Sequence, residues 1–496
     1  MRVRLALLAL ALAALACNTL FPPTPTPFVE EPALSEAEGP ATRPAATLAD
    51  PRSTATPTLV PPSPSSTTEH ATGGVRECAY VPGVSVPAQM PPEVIAAPAS
   101  TPYPLPPLPT HTQVDKETTD RQLGVYKDLW NTVNTEYLYP DFNGHDWSAI
   151  GQTYRQLIRG GLTDEDFYFA MDRMIAELGD EHSSFHDPQQ VAEEEAEFRS
   201  QYDYVGVGIL WSAIPEAGRG VIILTFPNSP AAEAGLGPHD AILAVNGEPA
   251  LDETGSPVGT IRGPEGAPVT LTVQHVGGQP FDLQLIRRRI TGALPIDYCL
   301  VPGTRIGYLF LPGFDDETFP DQMRAALEAF ATEGPLDGLV LDNRLNGGGS
   351  LSVVAPILGF FTRGTVGYFV THANNNPVEI RPEDIGGSQT VPLVVLVDVD
   401  TASFGEIVSG ILQSQGRATV IGQTTLGNVE ILLPYSFEDG SEALIAHETF
   451  TPAGQPDANW EQTGIVPDVH APTRWDLFSE ANDPALAAAV VLLSQP

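Results

Sequence analysis

Between Asn18 and Thr110 the chain carries 22 of its 49 prolines, in runs such as Pro-Pro-Thr-Pro-Thr-Pro and Pro-Ser-Pro-Ser-Ser-Thr-Thr. A segment of this composition buries too little apolar surface to offset the entropy of ordering it, so folding is confined to the residues beyond it. Residues 18–111 read as a disordered linker, a passive stalk rather than a Pro-rich recognition motif. As a flexible chain it spans roughly 50 to 60 Å root mean square. Within it, Val75 to Ala97 holds Cys78 and several apolar residues and has the capacity for partial order.

Ahead of the linker, Arg2 and Arg4 precede an apolar stretch, Leu5 to Leu15, followed by Ala16 and Cys17. Residues 1–17 read as a lipoprotein-type signal peptide with Cys17 as the lipidated residue. Ala14 stands where that pattern prefers Leu, which leaves an ordinary secretory signal open. The expectation is an exported protein, lipid-anchored on the outer face of the cell membrane or in the periplasm. No later apolar run reaches the length of a membrane span, so the membrane is met only through the anchor.

Charge narrows the partners. With 24 Lys plus Arg against 62 Asp plus Glu, the net charge of -38 argues against nucleic acid. Only Lys116 and Lys127 are lysines, so a mechanism that needs one must use one of these two. The 3 cysteines build neither a disulfide scaffold nor a four-thiolate zinc site. An exported location permits a bond between Cys78 and Cys299, for which the sequence supplies no geometry.

The rest of the chain divides into three folded segments. Residues 112–199 are helical in period: Leu123, Tyr126, Leu129, Trp130 and Val133 repeat at three and four, as do Phe167, Ala170, Met171, Met174, Ile175 and Leu178. Thr163 marks a helix start, and Glu193 to Glu197 reads as a solvated acidic face. Residues 200–290 change to short β-rich runs separated by Gly, Pro and Asn, with Asn246-Gly247 as a hairpin signal. Residues 291–496 alternate strands (Arg305 to Leu311, Gly338 to Leu341, Val391 to Val397) with helices (Thr318 to Ala331, Phe404 to Gln415). That order implies an α/β domain with its chemistry on the loops after the strands.

Two loops stand out. In VPLVVLVDVDTASFGEIVSGILQSQG, Val391 to Gly416, Ser403 sits where a strand turns into a helix, beside N–H groups free to bind an oxyanion. A capping box formed by Ser403 and Glu406 explains the same residues without chemistry. In LDNRLNGGGS, Leu341 to Ser350, three glycines let a strand turn sharply and bring bare N–H groups to a substrate carbonyl.

Taken with TGIVPDV (Thr463 to Val469), IGYLFLPGF (Ile306 to Phe314), YVGVGI (Tyr204 to Ile209), NSPAAEAGLGPHDAILAVNGE (Asn228 to Glu248) and IRGPEGAPVTLTV (Ile261 to Val273), the chain resembles the tail-specific, C-terminal-processing serine peptidases. The resemblance covers most of Thr112 to Val469. It implies an α/β, crotonase-like protease core over 291–496, an inserted PDZ domain over 200–290 and a helical N-terminal segment over 112–199. It also implies an acyl-enzyme mechanism without cofactor or metal, and polypeptide substrates taken by their C-termini. Gly206, Val207 and Gly208 then hold the polypeptide end. Ser403 is the nucleophile, and the N–H groups of Phe404 and of Gly348 or Gly349 form the oxyanion hole.

One departure decides the mechanism. Most members of that family carry a Lys in a Phe-Gly-Lys-Gly sequence after the helix; here the stretch is TTLGNVEI, with Asn428 at the lysine position. An amide does not accept the serine proton, and Lys116 and Lys127 lie far upstream, so a Ser–Lys dyad is excluded. ELGDEHSSF, Glu177 to Phe185, resembles the Asp-Gly-His-Thr of a histidine-using, tricorn-like branch, and WEQTGIVPDV places Glu461 where that branch carries a glutamate. The resemblance implies His182 as base, Glu461 as its orienter and Ser183 as a link between them. His447 in ALIAHETFTPAG competes as base, and His182, His186 and Asp180 form a weaker metal candidate. The alternative to an enzyme is a catalytically inactive relative that binds peptides or small ligands; a structural envelope protein has only the tether in its favour.

Overall fold

Periodicity at three and four gives way to three capped helices. The computed structural model describes residues 74–81, 105–180, 182–192, 203–252, 255–257 and 261–495. The signal-peptide reading, most of the linker reading and the acidic run at Glu193 lie outside them. Helix α1 (Lys116–Glu136) begins at Asp115, whose carboxylate accepts the Thr118 N–H; α2 (Trp147–Arg159) begins at Asp146 and α3 (Asp164–Ala176) at Thr163, each with the same kind of side-chain cap. Their apolar stripes, Leu129, Val133, Phe167, Met171 and Met174, share one core with Leu432, Leu444 and Ile445. The segment is not helical throughout. After α3, Gly179 at φ 68° turns the chain, and β1 (Ser184–His186) adds as an antiparallel strand to the long strand Glu442–Pro452.

The β-rich module comprises β2 (Asp203–Gly206), β3 (Ile209–Ile214), β4 (Arg219–Thr225), α4 (Pro230–Glu233), β5 (Ala241–Val245), β6 (Glu248–Pro249), β7 (Pro268–Gln274), β8 (Phe281–Ile286) and β9 (Arg288–Thr291). Strands β2 and β9 pair as a ribbon through which the chain enters and leaves. The sheet order is β3-β4-β5-β7-β8, with β6 paired to β5 through Asn246-Gly247, both at positive φ. The module has its own core (Val207, Ile222, Ile242, Leu271, Val273) and shares a second apolar cluster with the rest of the chain. There Trp475 Nε1 donates to the Ile222 carbonyl at 3.1 Å, while His239 Nδ1 lies 2.9 Å from the Trp475 carbonyl oxygen. Burial holds the His239 imidazolium down to about 4.

The remaining chain forms β10 (Asp297–Leu300), β11 (Ile306–Phe310), α5 (Phe319–Glu333), β12 (Gly338–Asp342), α6 (Leu351–Gly359), β13 (Gly364–Val370), β14 (Asn375–Ile380), β15 (Leu393–Val397), α7 (Phe404–Ser414), β16 (Ala418–Gly422), β17 (Ile431–Ser436), β18 (Glu442–Pro452), α8 (Trp460–Thr463), β19 (Val469–His470) and α9 (Pro484–Leu493). A sheet ordered β10-β11-β12-β15-β16-β19 is parallel except at β10. Its strands are apolar on both faces: Leu339, Leu341, Val395 and Val397 face α5, α6 and α7, whereas Val340, Val394 and Leu396 face α9 and the module. That is why they read as continuous apolar runs. A second, antiparallel sheet joins β1, β18, β13 and β14, with β17 beside β18.

Within the linker, residues 74–81 dock on the fold, in the stretch from Val75 onward that has the capacity for partial order. Cys78 and Cys299 form a disulfide with Cα atoms 5.1 Å apart. Cys78 N–H donates to the Leu300 carbonyl at 2.8 Å, and Cys78 and Tyr80 are buried. Arg76 pairs with Asp297 and Glu480. Two apolar side chains at alternate positions and one guanidinium suffice to lay this piece against β10. Residues 105–111 also meet the helices, where Leu108 packs on their core.

Candidate active site

Ser403 precedes the first residue of α7 with φ 51° and ψ -126°, a conformation that costs a residue with a Cβ about 1–3 kcal/mol. The capping-box reading does not hold: the Ser403 side chain makes no capping hydrogen bond. Glu406, the other half of that box, instead accepts the Thr425 hydroxyl and the N–H groups of Gly427 and Asn428. Burial pushes the Glu406 carboxyl up to about 7 against these three donors. Glu406 therefore ties the 425–428 loop to the helix that carries the serine.

The glycine loop closes on the same point. A Cβ on Gly348 would lie 2.7 Å from Ser403 Cβ and 3.0 Å from both Ser403 Oγ and Phe404 N, so only glycine fits, and its φ of 107° requires one as well. Gly405 and Ala402 fix the loop from the other side, the Ala402 N–H donating to the Asn346 carbonyl at 3.0 Å. The two oxyanion candidates separate here. Gly348 N–H donates to Asn346 Oδ1 at 2.9 Å, while among the described residues nothing accepts from the N–H of Gly349 or Phe404. The Phe404 ring is buried edge-on against Phe369 and leaves its N–H to the site.

His182 and Glu461 come from opposite ends of the sequence. His182 Nε2 lies 2.5 Å from Glu461 Oε1, and the other oxygen, Oε2, accepts the N–H groups of Val429 at 2.7 Å and Glu430 at 3.0 Å. Nδ1 of His182 is buried and has no partner among the described residues. Burial works against the imidazolium, but the hydrogen bond and charge of Glu461, with the charges of Glu430 and Asp180, prevail and push it up to about 9.

One peptide unit joins the two halves. The Asn428 carbonyl accepts the Ser403 N–H at 2.7 Å, and the next N–H, of Val429, donates to Glu461. Since the C=O and N–H of a trans peptide point in opposite directions, the Ser403 nitrogen and the Glu461 carboxylate flank that plane at most about 8 Å apart. The residue at the lysine position thus contributes its backbone, and no hydrogen bond joins Ser403 Oγ to His182 in this arrangement.

Ser183 does not link His182 to Glu461. Its hydroxyl donates to Asp180 Oδ2 at 2.9 Å and accepts the Ala446 N–H at 3.0 Å. Because Asp180 Oδ1 also accepts the N–H groups of His182 and Ser183, the side chain of Ser183 is drawn toward β18 and fastens the His182 loop there. His447 Nε2 lies 3.5 Å from Glu136 and makes no bond to Ser403; His186 Nε2 lies 3.0 Å from Ser184 Oγ on β1, and among the described residues His182, His186 and Asp180 do not gather as a ligand set. One ligand atom each from His182, Glu430 and Glu461 lie within 4.8 Å of one another. Zinc bonds of about 2.0–2.2 Å keep ligand atoms more than about 3 Å apart, so the 2.5 Å contact makes this a hydrogen-bonded pair rather than a cage.

In the β-rich module Gly206 ends β2, and the Val207 carbonyl accepts the Ala231 N–H at 2.9 Å. Gly208, at φ 77°, packs so closely that a Cβ there would meet Ser229 Cβ at 2.2 Å. The loop delivers the chain into β3, which is an edge of its sheet. Two residues escaped the reading of the sequence: Glu430, two positions beyond Asn428, and Tyr139, whose hydroxyl donates to it. An acidic residue within VEI, between buried apolar neighbours, was the available signal.

Residues 305–471 match Peptidase family S41, residues 121–176 the Tricorn protease C1 domain and residues 227–275 a PDZ domain. The chain is 29% identical over 364 residues to a carboxyl-terminal-processing protease of Synechocystis sp., covering 72% of this chain and 82% of that one. It is 28% identical over 367 residues to a carboxy-terminal-processing protease of Bartonella bacilliformis, covering 72% and 77%. Among solved structures, the photosystem II D1 C-terminal processing protease shares the fold at TM-score 0.51 and 22% identity, over 75% of this chain and 100% of that one.

Proposed function

The chain belongs to the PDZ-containing C-terminal-processing peptidases of family S41, serine-type enzymes with a crotonase-like core, and from that premise we propose that it cleaves polypeptides through an acyl-enzyme on Ser403 with His182 as base. The observation that carries this reading is the buried His182–Glu461 pair, fixed to the same peptide unit as the strained, uncapped Ser403. Glu461 accepts the hydrogen bond of the Nε2–H, which holds the proton on Nε2 and leaves Nδ1 as the basic nitrogen. Approach of Nδ1 to Ser403 Oγ lets it accept the hydroxyl proton as the oxygen attacks the peptide carbonyl. The N–H groups of Phe404 and the glycine loop, with Gly349 the unengaged donor, receive the oxyanion. His182 then returns the proton to the leaving amine, and water hydrolyses the ester.

We infer that Gly206, Val207 and Gly208, in the turn leading into the β3 edge, receive a polypeptide C-terminus by strand addition, a reading supported by the free edge of β3. The Cys78–Cys299 bond suits an oxidising compartment and supports export, with Cys17 as the anchoring residue. A fluorophosphonate probe tests the mechanism: labelling of Ser403 that disappears in His182→Ala is expected, and absence of labelling in folded wild-type protein returns the chain to the peptide-binding alternative. Amidation of a substrate's C-terminus is expected to raise KM, and Cys17→Ser to abolish palmitate incorporation and membrane association.

A further inference from the structure

The His182–Glu461 pair has an ionisable neighbour that the mechanism leaves unused. Glu430 is 3% exposed; its Oε1 accepts the Tyr139 hydroxyl, and its buried Oε2 has no partner among the described residues. Its N–H, donated to Glu461 Oε2 at 3.0 Å, fixes it in the same frame, with a carboxylate oxygen inside the 4.8 Å cluster formed with His182 and Glu461. A carboxylate kept from water with an empty acceptor oxygen is costly, and a cation beside it offsets that cost. The imidazole ring is that neighbour.

The charges facing His182 are those of Glu461, Glu430 and Asp180. Tyr139 holds Glu430, Tyr137 holds Asp180 through its hydroxyl at 2.7 Å, and Glu406 lies behind Glu461. One carboxylate suffices to select a tautomer and orient the ring. A second one, with an oxygen within 4.8 Å of a ring nitrogen, orients nothing further; it favours the protonated ring.

Resting on the reading of His182 as base, we propose that Glu430 is a positioning residue for the reaction: held by Tyr139, its carboxylate keeps His182 protonated at rest, so that Ser403 is activated only once that proton has left. The site is complete and restrained at once, and the restraint resides in a side chain that touches neither substrate nor nucleophile.

Two measurements test this on the full chain: an NMR titration of the His182 ring in Ser403→Ala protein, and the pH dependence of kcat/KM with Ser403 intact. Glu430→Gln is expected to move the His182 titration and the acid limb of kcat/KM down by about one pH unit or more, a gain of about tenfold at pH 7. Tyr139→Phe, which removes the bond that stabilises the Glu430 charge, is expected to move both the same way by a smaller step, and serves if Glu430→Gln does not fold. A space-filling role for Glu430 lowers the plateau and leaves the titration in place; an unmoved titration in both variants overturns the proposal. A titration that moves while the acid limb stays overturns the assignment of His182 as base.

Discussion

Raising the pH is expected to switch the enzyme on while loosening its site. The imidazole of His182 is held up to about 9, against an ordinary value near 6.5. With His182 as the proposed base, only the neutral imidazole can accept the Ser403 proton, and at pH 7 about one molecule in a hundred is then expected to be competent. kcat/KM is therefore expected to climb about tenfold per pH unit from pH 6.5 and to level off above pH 9. Stability runs the other way. Because the folded value is raised, the contribution of protonated His182 is fully present below pH 6.5 and is lost as the pH passes 9; with its side chain 11% exposed, the difference amounts to about 3 kcal/mol. The assay is kcat/KM on an internally quenched peptide with a free C-terminus between pH 6 and 10.5, alongside urea unfolding of wild type and His182→Ala at pH 6 and 9.5. The two proteins should differ at pH 6 and converge at pH 9.5. An acid limb near 6.5, or equal stability differences at both pH values, refutes the reasoning.

Further consequences are open to test. Gly348→Ala places a methyl group against Ser403 and is expected to lower kcat by 100-fold or more; activity near wild type in a folded variant rules out this placement of the loop. Ser183→Ala leaves Asp180 and the Ala446 N–H short of a partner, so unfolding in urea should show a loss of about 1–3 kcal/mol while kcat/KM stays within a few-fold. A catalytic defect at unchanged stability restores Ser183 to the reaction. Reduction of Cys78–Cys299, or Cys299→Ser, is expected to lower stability by about 3–5 kcal/mol for the long ring it closes; identical denaturation with and without reductant refutes this.

The residues most readable in the sequence are those whose chemistry leaves no substitute. Asn428 in place of a lysine forces a search for another base, and His182 with Glu461 emerges because both lie in short signatures at opposite ends of the chain. The structure brings these two together, a contact no local pattern states. Ser183 is misread because adjacency in sequence says nothing of side-chain direction: Asp180, three residues back, turns its hydroxyl toward Ala446. The Ser403 and Glu406 spacing satisfies a capping box on paper, but Glu406 finds three donors in a loop that begins nineteen residues away in sequence, and local spacing cannot weigh a competitor of that kind. Cys78 is legible only as a candidate, since proline-rich composition describes the average of a segment and does not say which eight residues within it dock.

The disulfide also decides what a protease could do to this protease. Cys78 and Cys299 are 221 residues apart, and His182 lies inside the ring they close while Ser403 lies outside it. A single backbone cut anywhere within that ring therefore does not part His182 from Ser403. It yields a two-chain molecule, one band without reductant and two with it, whose halves remain covalent partners. Whether such a nick ends the enzyme's working life or passes without effect is then set by the thiol chemistry of its surroundings.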